Sequence, residues 1–427
     1  MHPLKVSIPG DFIDCQIYRG RLYLWTSNGC VKVYDWDKLI SLTNAYQNNK
    51  LMMRIGFLEG NLLYKSGVSD LLDDIDFLSL AKTKLESLSE YEHQLSCLEI
   101  DQALLCNQDF PSNLEPIDTT IFRNSLYYIT DSGLFECDVH FPKKYKTQLR
   151  NDKKLWDCPL FSLMANSFGQ IALSAGDEGL FELNNYDAEY LENKPVNLSK
   201  DLSLSGSNKR MTDIPPIFQI STKHSTFANY NYANIYSSSS LDASYMALFE
   251  WIEHENYTAK KTRKYLTDVN DVDIFNSNNQ HHISWGNQGK LYLVSNNEIR
   301  IVRLHRSMRG LDKFDLFEEP KIVLQSWKGE VIAAGSAYFG VVIECENALV
   351  VLLSNGESYS IPGPITKWRV YPRSHNYENH LHVIFDDKIT IYSFNNDYFV
   401  NQKTKDFGVE YKEESLLPNW QRYKNQS

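Results

Sequence analysis

The sequence predicts an all-β fold, and three observations lead to that prediction. One short pattern recurs along the 427 residues: an alternating apolar run, a polar turn and a second alternating run. Its period of two and its turn residues are those of a β-hairpin. Aromatic residues make up 13% of the chain, which suits pleated, half-buried surfaces. The clearest copies of the pattern are Leu22–Trp36, Leu126–Cys137, Ile171–Leu183, Leu291–Val302, Leu349–Tyr359 and Leu381–Tyr392.

Repeated hairpins predict repeated blades. We therefore expect a single β-propeller of about seven four-stranded blades, with a helical insertion and long loops. The copies that begin at Leu126 and Ile171 are 45 residues apart. That interval falls within the propeller period of roughly 40–50 residues. A ring of about six or about eight blades also fits this spacing.

The two ends of the chain are expected to meet in the last blade. Residues 331–361 contain four successive strands, and three more follow up to Phe394. The alternating segment of residues 4–8 would supply the missing fourth strand, which closes the ring and leaves no exposed sheet edge. The propeller is thus predicted over residues 1–400, and residues 401–427 are predicted to be a polar C-terminal tail.

Insertions interrupt this pattern near residues 68–109 and 184–213. Leucines and isoleucines near helical spacing predict a helix in the first, with Ser69 or Asp70 as its N-cap. Packing between strands is the favoured role of this helix, and partner binding is the alternative. The second insertion is rich in Ser, Asn and Asp and is predicted to be an exposed loop. Residues 55–64 are predicted to be a weak further copy of the hairpin.

Composition limits the class of protein. The net charge of −11 argues against a broad nucleic-acid surface. No segment approaches the roughly 20 apolar residues of a membrane helix, and the N-terminus lacks the features of a signal peptide. The seven cysteines are odd in number and show no C-x-x-C spacing, so free thiols in a reducing compartment are expected. These features favour an intracellular protein of the cytoplasm or nucleus, without membrane contact.

The segment Val31-Lys-Val-Tyr-Asp-Trp36 resembles the end of a blade in the WD-repeat type of β-propeller. The motif is degenerate, because Asp35 and Trp36 stand in reverse order and no Gly-His pair precedes a Trp-Asp ending. Propellers of this family are usually platforms for protein partners, and the resemblance implies that role here. Fold alone does not determine function.

Three histidines are candidate metal ligands. His380 and His382 stand two apart on a strand, with His375 nearby, and such a set could bind zinc. Surface histidines are the commoner case, so no metal and no cofactor is predicted. The chain lacks the phosphate loop, the zinc-protease motif, the nucleophile elbow and the dinucleotide fingerprint, and no catalytic residue is predicted.

Protein partners are predicted to bind at the tyrosine-rich strands and at the apolar stripe of the first insertion. A basic patch is predicted to make electrostatic contacts. Tyrosine-rich strands and the apolar stripe of the insertion are candidate contact surfaces for protein partners. Basic clusters beside tyrosines suit single-stranded nucleic acid, an acidic protein or a solvated loop. The candidate partner-binding residues are Tyr230, Tyr232, Tyr236, Leu71, Ile75 and Leu78. The basic patch comprises Lys143, Lys144, Lys146, Arg150, Lys153, Lys154, Lys260, Lys261, Arg263 and Lys264.

The sequence thus predicts a noncatalytic β-propeller scaffold that mediates protein–protein interaction in an intracellular multiprotein complex. A propeller enzyme or small-ligand binder with its site in the central channel is the first alternative. Accessory nucleic-acid contact through basic loops is the second. Two stacked β-sandwiches, with a boundary near residues 184–213, are the alternative architecture.

Overall fold

The structure is a computed structural model that describes most of residues 2–174 and 331–394, and strands alone in the rest of the chain. The described residues are 2–60, 62, 67–110, 115–122, 124–140, 148–165, 170–174, 180–184, 196–197, 224–230, 233–239, 244–253, 261–268, 283–287, 290–294, 298–306, 314–323, 331–353, 357–371, 374, 376–394, 405–406 and 409–410.

Strands dominate these residues. In chain order they are β1 (Leu4–Pro9), β2 (Phe12–Tyr18), β3 (Arg21–Thr26), β4 (Cys30–Asp35), β5 (Glu92–Gln94), β6 (Leu104–Asp109), β7 (Asp118–Phe122), β8 (Ser125–Thr130), β9 (Gly133–His140), β10 (Gln148–Trp156), β11 (Ser162–Ala165), β12 (Gln170–Ser174), β13 (Leu180–Asn184), β14 (Val196–Asn197), β15 (His224–Tyr230), β16 (Ala233–Ser239), β17 (Ser244–Glu253), β18 (Lys261–Asp268), β19 (Ile283–Asn287), β20 (Lys290–Val294), β21 (Glu298–Arg306), β22 (Phe314–Val323), β23 (Val331–Ala337), β24 (Gly340–Cys345), β25 (Ala348–Leu353), β26 (Ser358–Pro362), β27 (Lys367–Val370), β28 (His380–Ile384), β29 (Lys388–Ser393), β30 (Lys405–Asp406) and β31 (Val409–Glu410).

Helices are confined to the first quarter of the described chain. They are α1 (Trp36–Leu42), α2 (Asn44–Asn48), α3 (Lys50–Met53), a π-helical turn (Arg54–Leu58), a 3₁₀ turn (Ser69–Asp73), α4 (Ile75–Ser89) and α5 (Cys97–Ala103). No described helix combines the length and apolarity needed to cross a bilayer.

The chain divides into two compact units. Unit 1 comprises residues 1–113, 141–148 and 335–427, and unit 2 comprises residues 114–140 and 149–334. Unit 2 contains four four-stranded sheets, formed by β7–β10, β11–β14, β15–β18 and β19–β22. Each is a meander of consecutive strands, which is the topology of a propeller blade.

Unit 1 contains three larger sheets and one small one. The first has the strand order β2-β3-β4-β6, and the second, β23 to β26, begins at the unit boundary. The third has five strands in the order β27-β28-β29-β1-β5. The paired strands β30 and β31 lie within the predicted polar tail, so that tail is not wholly irregular.

The hairpin prediction is confirmed for all six copies. They form the pairs β3–β4, β8–β9, β12–β13, β20–β21, β25–β26 and β28–β29, each antiparallel. The all-β, propeller-type architecture is therefore correct.

The prediction of a single ring of about seven four-stranded blades is confirmed only in part. Unit 2 has four four-stranded blades, and unit 1 adds two four-stranded sheets and a five-stranded one, so the sheets are divided between two units. Contacts between repeats run mainly to the nearest neighbours in the chain, so consecutive sheets cluster together. The division between units does not fall near residues 184–213, where the two-sandwich alternative placed it.

The N-terminal strand joins the last sheet. β1 pairs antiparallel with β29 from Leu4, opposite Ser393, to Pro9, opposite Lys388. The insertion adds β5 parallel to the other edge of β1. The sheet of β27, β28 and β29 therefore includes β1, a strand from the beginning of the chain.

One local prediction was wrong. The weak hairpin at residues 55–64 is instead a π-helical turn at Arg54–Leu58, whose apolar side chains are buried in the core of unit 1. Burial in that core outweighed the local hairpin pattern. Most of the polar insertion at residues 184–213 lies outside the described residues; within it, Val196–Asn197 forms strand β14 and pairs with β13.

The largest hydrophobic core of unit 1 joins its first sheet, its helices and β1, β28 and β29. Trp36 is fully buried there, and its Nε1 donates to the Phe57 carbonyl at 2.6 Å. The helix α4 enters this core through Ala81, Leu85 and Leu88. The first insertion is therefore anchored to the sheets by its own apolar face.

Candidate functional site

Unit 1 contains two features that bear on function: a buried polar cluster where β2 meets β27 and β28, and the outer surface of the first insertion. The polar cluster is centred on Asp14 of β2, whose side chain is 0% exposed. A bulge between Phe12 and Asp14 shifts the register of β2 against β3. Bulges redirect side chains, and this one accompanies an acidic residue buried inside an otherwise apolar strand.

Two cations of β27 neutralise Asp14. Arg369 donates from Nε to Oδ1 at 2.9 Å and from Nη2 to Oδ1 and Oδ2 at 2.8 and 2.7 Å. Lys367 donates from Nζ to Oδ2 at 3.1 Å. Burial by itself would raise the pKa of Asp14, but the two cations and the hydrogen bonds outweigh it and the net pKa is lowered. Asp14 is therefore a carboxylate at neutral pH.

Cys15, Tyr371 and His382 lie beside this ion cluster. The Cys15 Sγ is 3.8 Å and the Tyr371 hydroxyl 3.3 Å from Nδ1 of His382. Burial, followed by the charge of Asp14, raises the pKa of the Cys15 thiol to about 12. Burial also lowers the pKa of His382 well below its usual value, and His380 adds to that effect. This group consists of a neutral thiol, a neutral phenol and a neutral imidazole.

His380 extends the cluster toward the core. Its Nε2 is 3.0 Å from the Gly56 carbonyl, which also accepts a 2.5 Å hydrogen bond from the Ser393 hydroxyl. The rings of His380 and His382 stack with their centroids 5.7 Å apart. Burial lowers the pKa of His380 to about 4. Within the described residues, His380 Nδ1 and His382 Nε2 are buried without a hydrogen-bond partner.

The chemistry available to this cluster is limited by its protonation and burial. A thiol nucleophile must be a thiolate and must reach its substrate, whereas Cys15 is protonated and fully buried. The expectation that His380 and His382 are surface residues was wrong, and His375 lies outside the described residues. Among described side chains, no group of three or more His, Cys, Asp or Glu residues is arranged to hold a metal ion. The contacts of this polar cluster connect β2 with β27 and β28, which belong to two different sheets, and this indicates a structural role.

The first insertion is the second feature, and it is fixed at several points. Its strand β5 pairs with β1, and the Glu92 carboxylate accepts hydrogen bonds from Ser7 and, at 2.8 Å, from Lys388. The side chain of Asp74 caps α4 by accepting from the Phe77 amide at 2.9 Å. Ser96 and Glu99 form a reciprocal capping box at α5. The insertion is thus held in place by both backbone pairing and caps.

Several large apolar side chains of this insertion are exposed. Ile75 is 81% exposed and Leu71 is 42% exposed, although both belong to the predicted apolar stripe. Leu78 of the same stripe is partly buried against the core. The exposed large apolar residues of the described chain are Leu51, Leu71, Ile75, Leu80, Tyr91, Leu98, Ile117, Phe161 and Ile332. Five of these nine lie between residues 68 and 109.

The predicted tyrosine surface is only partly described. Tyr230 ends β15 opposite Ala233 of β16, and Tyr236 of β16 stands opposite Phe227 of β15. Tyr232 lies outside the described residues. These tyrosines therefore belong to one hairpin, and their role in partner binding stays a prediction.

The predicted basic patch is divided between strands and undescribed segments. Lys153 and Lys154 are exposed on β10, where Lys154 pairs with Asp157 at 2.5 Å. Arg150 is also on β10. On β18, Lys261 stands opposite Glu253, Arg263 opposite Trp251 and Lys264 opposite Glu250. The residues of the patch outside the described part are Lys143, Lys144, Lys146 and Lys260.

Sequence reasoning missed Asp14, Lys367 and Arg369. One signal was available, because an acidic residue in the middle of the alternating strand Phe12–Tyr18 requires either exposure or a cationic partner. The partner could not be identified, since Arg369 is 355 residues away in the chain.

Comparisons with known proteins identify no family for this chain. No family model matches the chain, and no curated protein matches it in sequence. The computationally designed Ika8 protein is similar, with a TM-score of 0.41 and 8% identity over 92% of this chain and 100% of that chain. YCF48 bound to D1 peptide has a TM-score of 0.40 and 7% identity over 92% and 93% of the two chains. BamB from Moraxella catarrhalis has a TM-score of 0.36 and 10% identity over 88% and 80%.

Proposed function

We propose that this protein is a noncatalytic, WD-repeat-like β-propeller scaffold that binds a protein partner within an intracellular multiprotein complex. The observation that carries the proposal is the exposed apolar surface of the first insertion, led by Ile75 and Leu71. Large apolar side chains in water are unfavourable by roughly 25 cal/mol per Å² of surface that could be buried. Contiguous patches of exposed apolar side chains mark interaction sites, and we propose that the side chains of this insertion form one.

The anchoring of the insertion supports the same proposal. Its helix α4 is capped by Asp74 and packed into the core through Leu85 and Leu88, and β5 extends the sheet of β1. A surface held in one conformation loses little conformational entropy when a partner binds. Rigid presentation of an apolar surface is the mechanism that we propose.

Affinity purification of the tagged full-length protein from its own cells tests this function. The variant Leu71→Ser with Ile75→Ser removes exposed apolar surface and leaves the buried face of α4 intact. Ile332→Ser is the matched control, because Ile332 is also exposed but lies on β23. We expect a stoichiometric partner with the wild type and the control, and its loss with the double variant. Recovery of the wild-type protein alone would contradict the proposal.

A further inference from the structure

The apolar surface of the first insertion lies in a strongly acidic setting. Residues 68–99 contain eight acidic side chains and two lysines, which leaves six net negative charges. Half of the acidic residues fall within seven positions at the start of α4: Asp70, Asp73, Asp74 and Asp76. Leu71 and Ile75 stand among them. The side chains of all four residues are exposed, and that of Asp74 also caps the helix.

Exposed apolar side chains among acidic ones indicate which kind of partner segment can bind here. Like charges facing each other across an interface are disfavoured, and opposite charges speed association and set the orientation of docking. Phosphates of nucleic acids and anionic lipids would be repelled from this end of α4. A purely basic segment would leave Ile75, at 81% exposure, in water. A segment with both cationic and apolar side chains satisfies both features.

We propose that the start of α4 docks a basic, apolar-containing segment of a protein partner. The apolar side chains of that segment cover Leu71 and Ile75, and its Lys or Arg residues face Asp70, Asp73 and Asp76. This inference rests on the proposed scaffold function and adds the place and the chemistry of the partner.

Photo-cross-linking from the full-length protein tests the place. A photoreactive phenylalanine analogue replaces Ile75 in one variant and Ile332 in the control, and cross-linked peptides are identified by mass spectrometry. We expect position 75 to capture a partner segment with a net positive charge and apolar residues, and position 332 to capture none. An acidic or neutral segment overturns the inference, and so does a cross-link to residues 143–154 of a second copy.

The same experiment separates the two proposals. If a stoichiometric partner is recovered but position 75 yields no cross-link, the docking inference fails and the scaffold function stands. If the protein is recovered alone, both fail.

The charge requirement is tested with the captured sequence as a synthetic fluorescent peptide. Asp73→Asn with Asp76→Asn removes two charges near Ile75, and Glu86→Gln with Glu90→Gln removes two exposed charges near the other end of α4. We expect a roughly fivefold loss of affinity for the first variant, which corresponds to about 1 kcal/mol shared between two exposed ion pairs. The second variant should stay within about twofold of wild type. Equal affinities of the wild type and both variants overturn the charge requirement.

Discussion

Arg369 holds the Asp14 carboxylate through three hydrogen bonds of 2.7 to 2.9 Å, across 355 residues of sequence. The pair connects β2 to β27, the first strands of two different sheets of unit 1. Lys367 adds a third charge on the same strand as Arg369. The three side chains form an ion cluster whose acidic member is fully buried and whose cations reach the solvent at 21% and 17% exposure.

Removal of the acidic member is expected to destabilise unit 1 strongly. Asp14→Asn leaves Arg369 and Lys367 without their counter-charge, and breaking a buried pair in this way costs about 3 kcal/mol or more. Urea unfolding followed by tryptophan fluorescence measures the change. Glu59→Gln is the control, since the half-exposed pair of Glu59 with Arg54 should be worth about 1 kcal/mol at most. Equal losses in the two variants would show that the Asp14 cluster carries no special stability.

Protonation of His380 is expected to weaken the fold in acid. The pKa of its folded form is about 4, below the ordinary value of 6.5, because burial disfavours the charged ring. The contribution of His380 to the free energy of unfolding is therefore fully present above pH 6.5. It decreases as the pH falls from 6.5 to 4, since the ring takes up its proton in the unfolded chain but not in the folded one. The shift corresponds to about 3 kcal/mol over that interval.

Unfolding free energies measured from pH 7.5 to 4.5 check this prediction. His380→Gln keeps a donor for the Gly56 carbonyl but cannot titrate. We expect the pH slope of the variant to be smaller by up to one proton, with the remaining slope due in part to His382. A slope that the substitution leaves unchanged would exclude His380 as its source.

Gly133 should tolerate no side chain. Its φ is +130°, and an added Cβ would lie 2.1 Å from the Trp156 carbonyl oxygen, which is backbone and cannot move aside. Gly29 also has a positive φ, of +77°, but a Cβ there meets nothing within 4 Å. We expect Gly133→Ala to cost about 3 kcal/mol or more and Gly29→Ala about 1 kcal/mol, as measured by thermal unfolding. A similar loss of stability in both variants would mean that the positive φ determines the cost and that the contact with the Trp156 carbonyl contributes nothing.

The two faces of α4 should respond differently to truncation. Leu85 is buried in the core, so Leu85→Ala is expected to destabilise by about 2–5 kcal/mol. Leu80 is 57% exposed on the same helix, and Leu80→Ala should stay within about 0.5 kcal/mol of wild type. Chemical denaturation of the two single variants provides the comparison. A large loss of unfolding free energy in Leu80→Ala would show that the Leu80 side chain is packed against other residues, contrary to its exposure.

Thiol labelling should distinguish the seven cysteines by their burial. Cys97 is exposed, whereas Cys15 is buried and its thiol pKa is raised to about 12. We expect a disulfide reagent at pH 8 to label Cys97 rapidly in the native protein and Cys15 only after unfolding. Peptide mapping after a timed reaction identifies the labelled positions. Rapid native labelling of Cys15 would contradict its buried environment.

Much of the local structure could be predicted from the sequence, and the candidate site only in part. The insertion helix and its apolar stripe were predicted, but the exposure of Leu71 and Ile75 was not, because spacing alone cannot show which side of a stripe meets the core. For the basic residues, the sequence predicted two clusters in the chain, and the described members of these clusters lie on strands β10 and β18.

The sequence by itself determined the six hairpins and the strand that the N-terminus contributes to the last sheet. Hairpin pairing is local, so alternation and turn residues suffice to specify it. Only the tertiary structure decided the ion cluster of Asp14 with Arg369, the parallel addition of β5 to β1 and the π-helical turn at Arg54–Leu58. Each of these depends on side chains or strands brought together from distant positions, and their burial outweighs the preference of the local sequence.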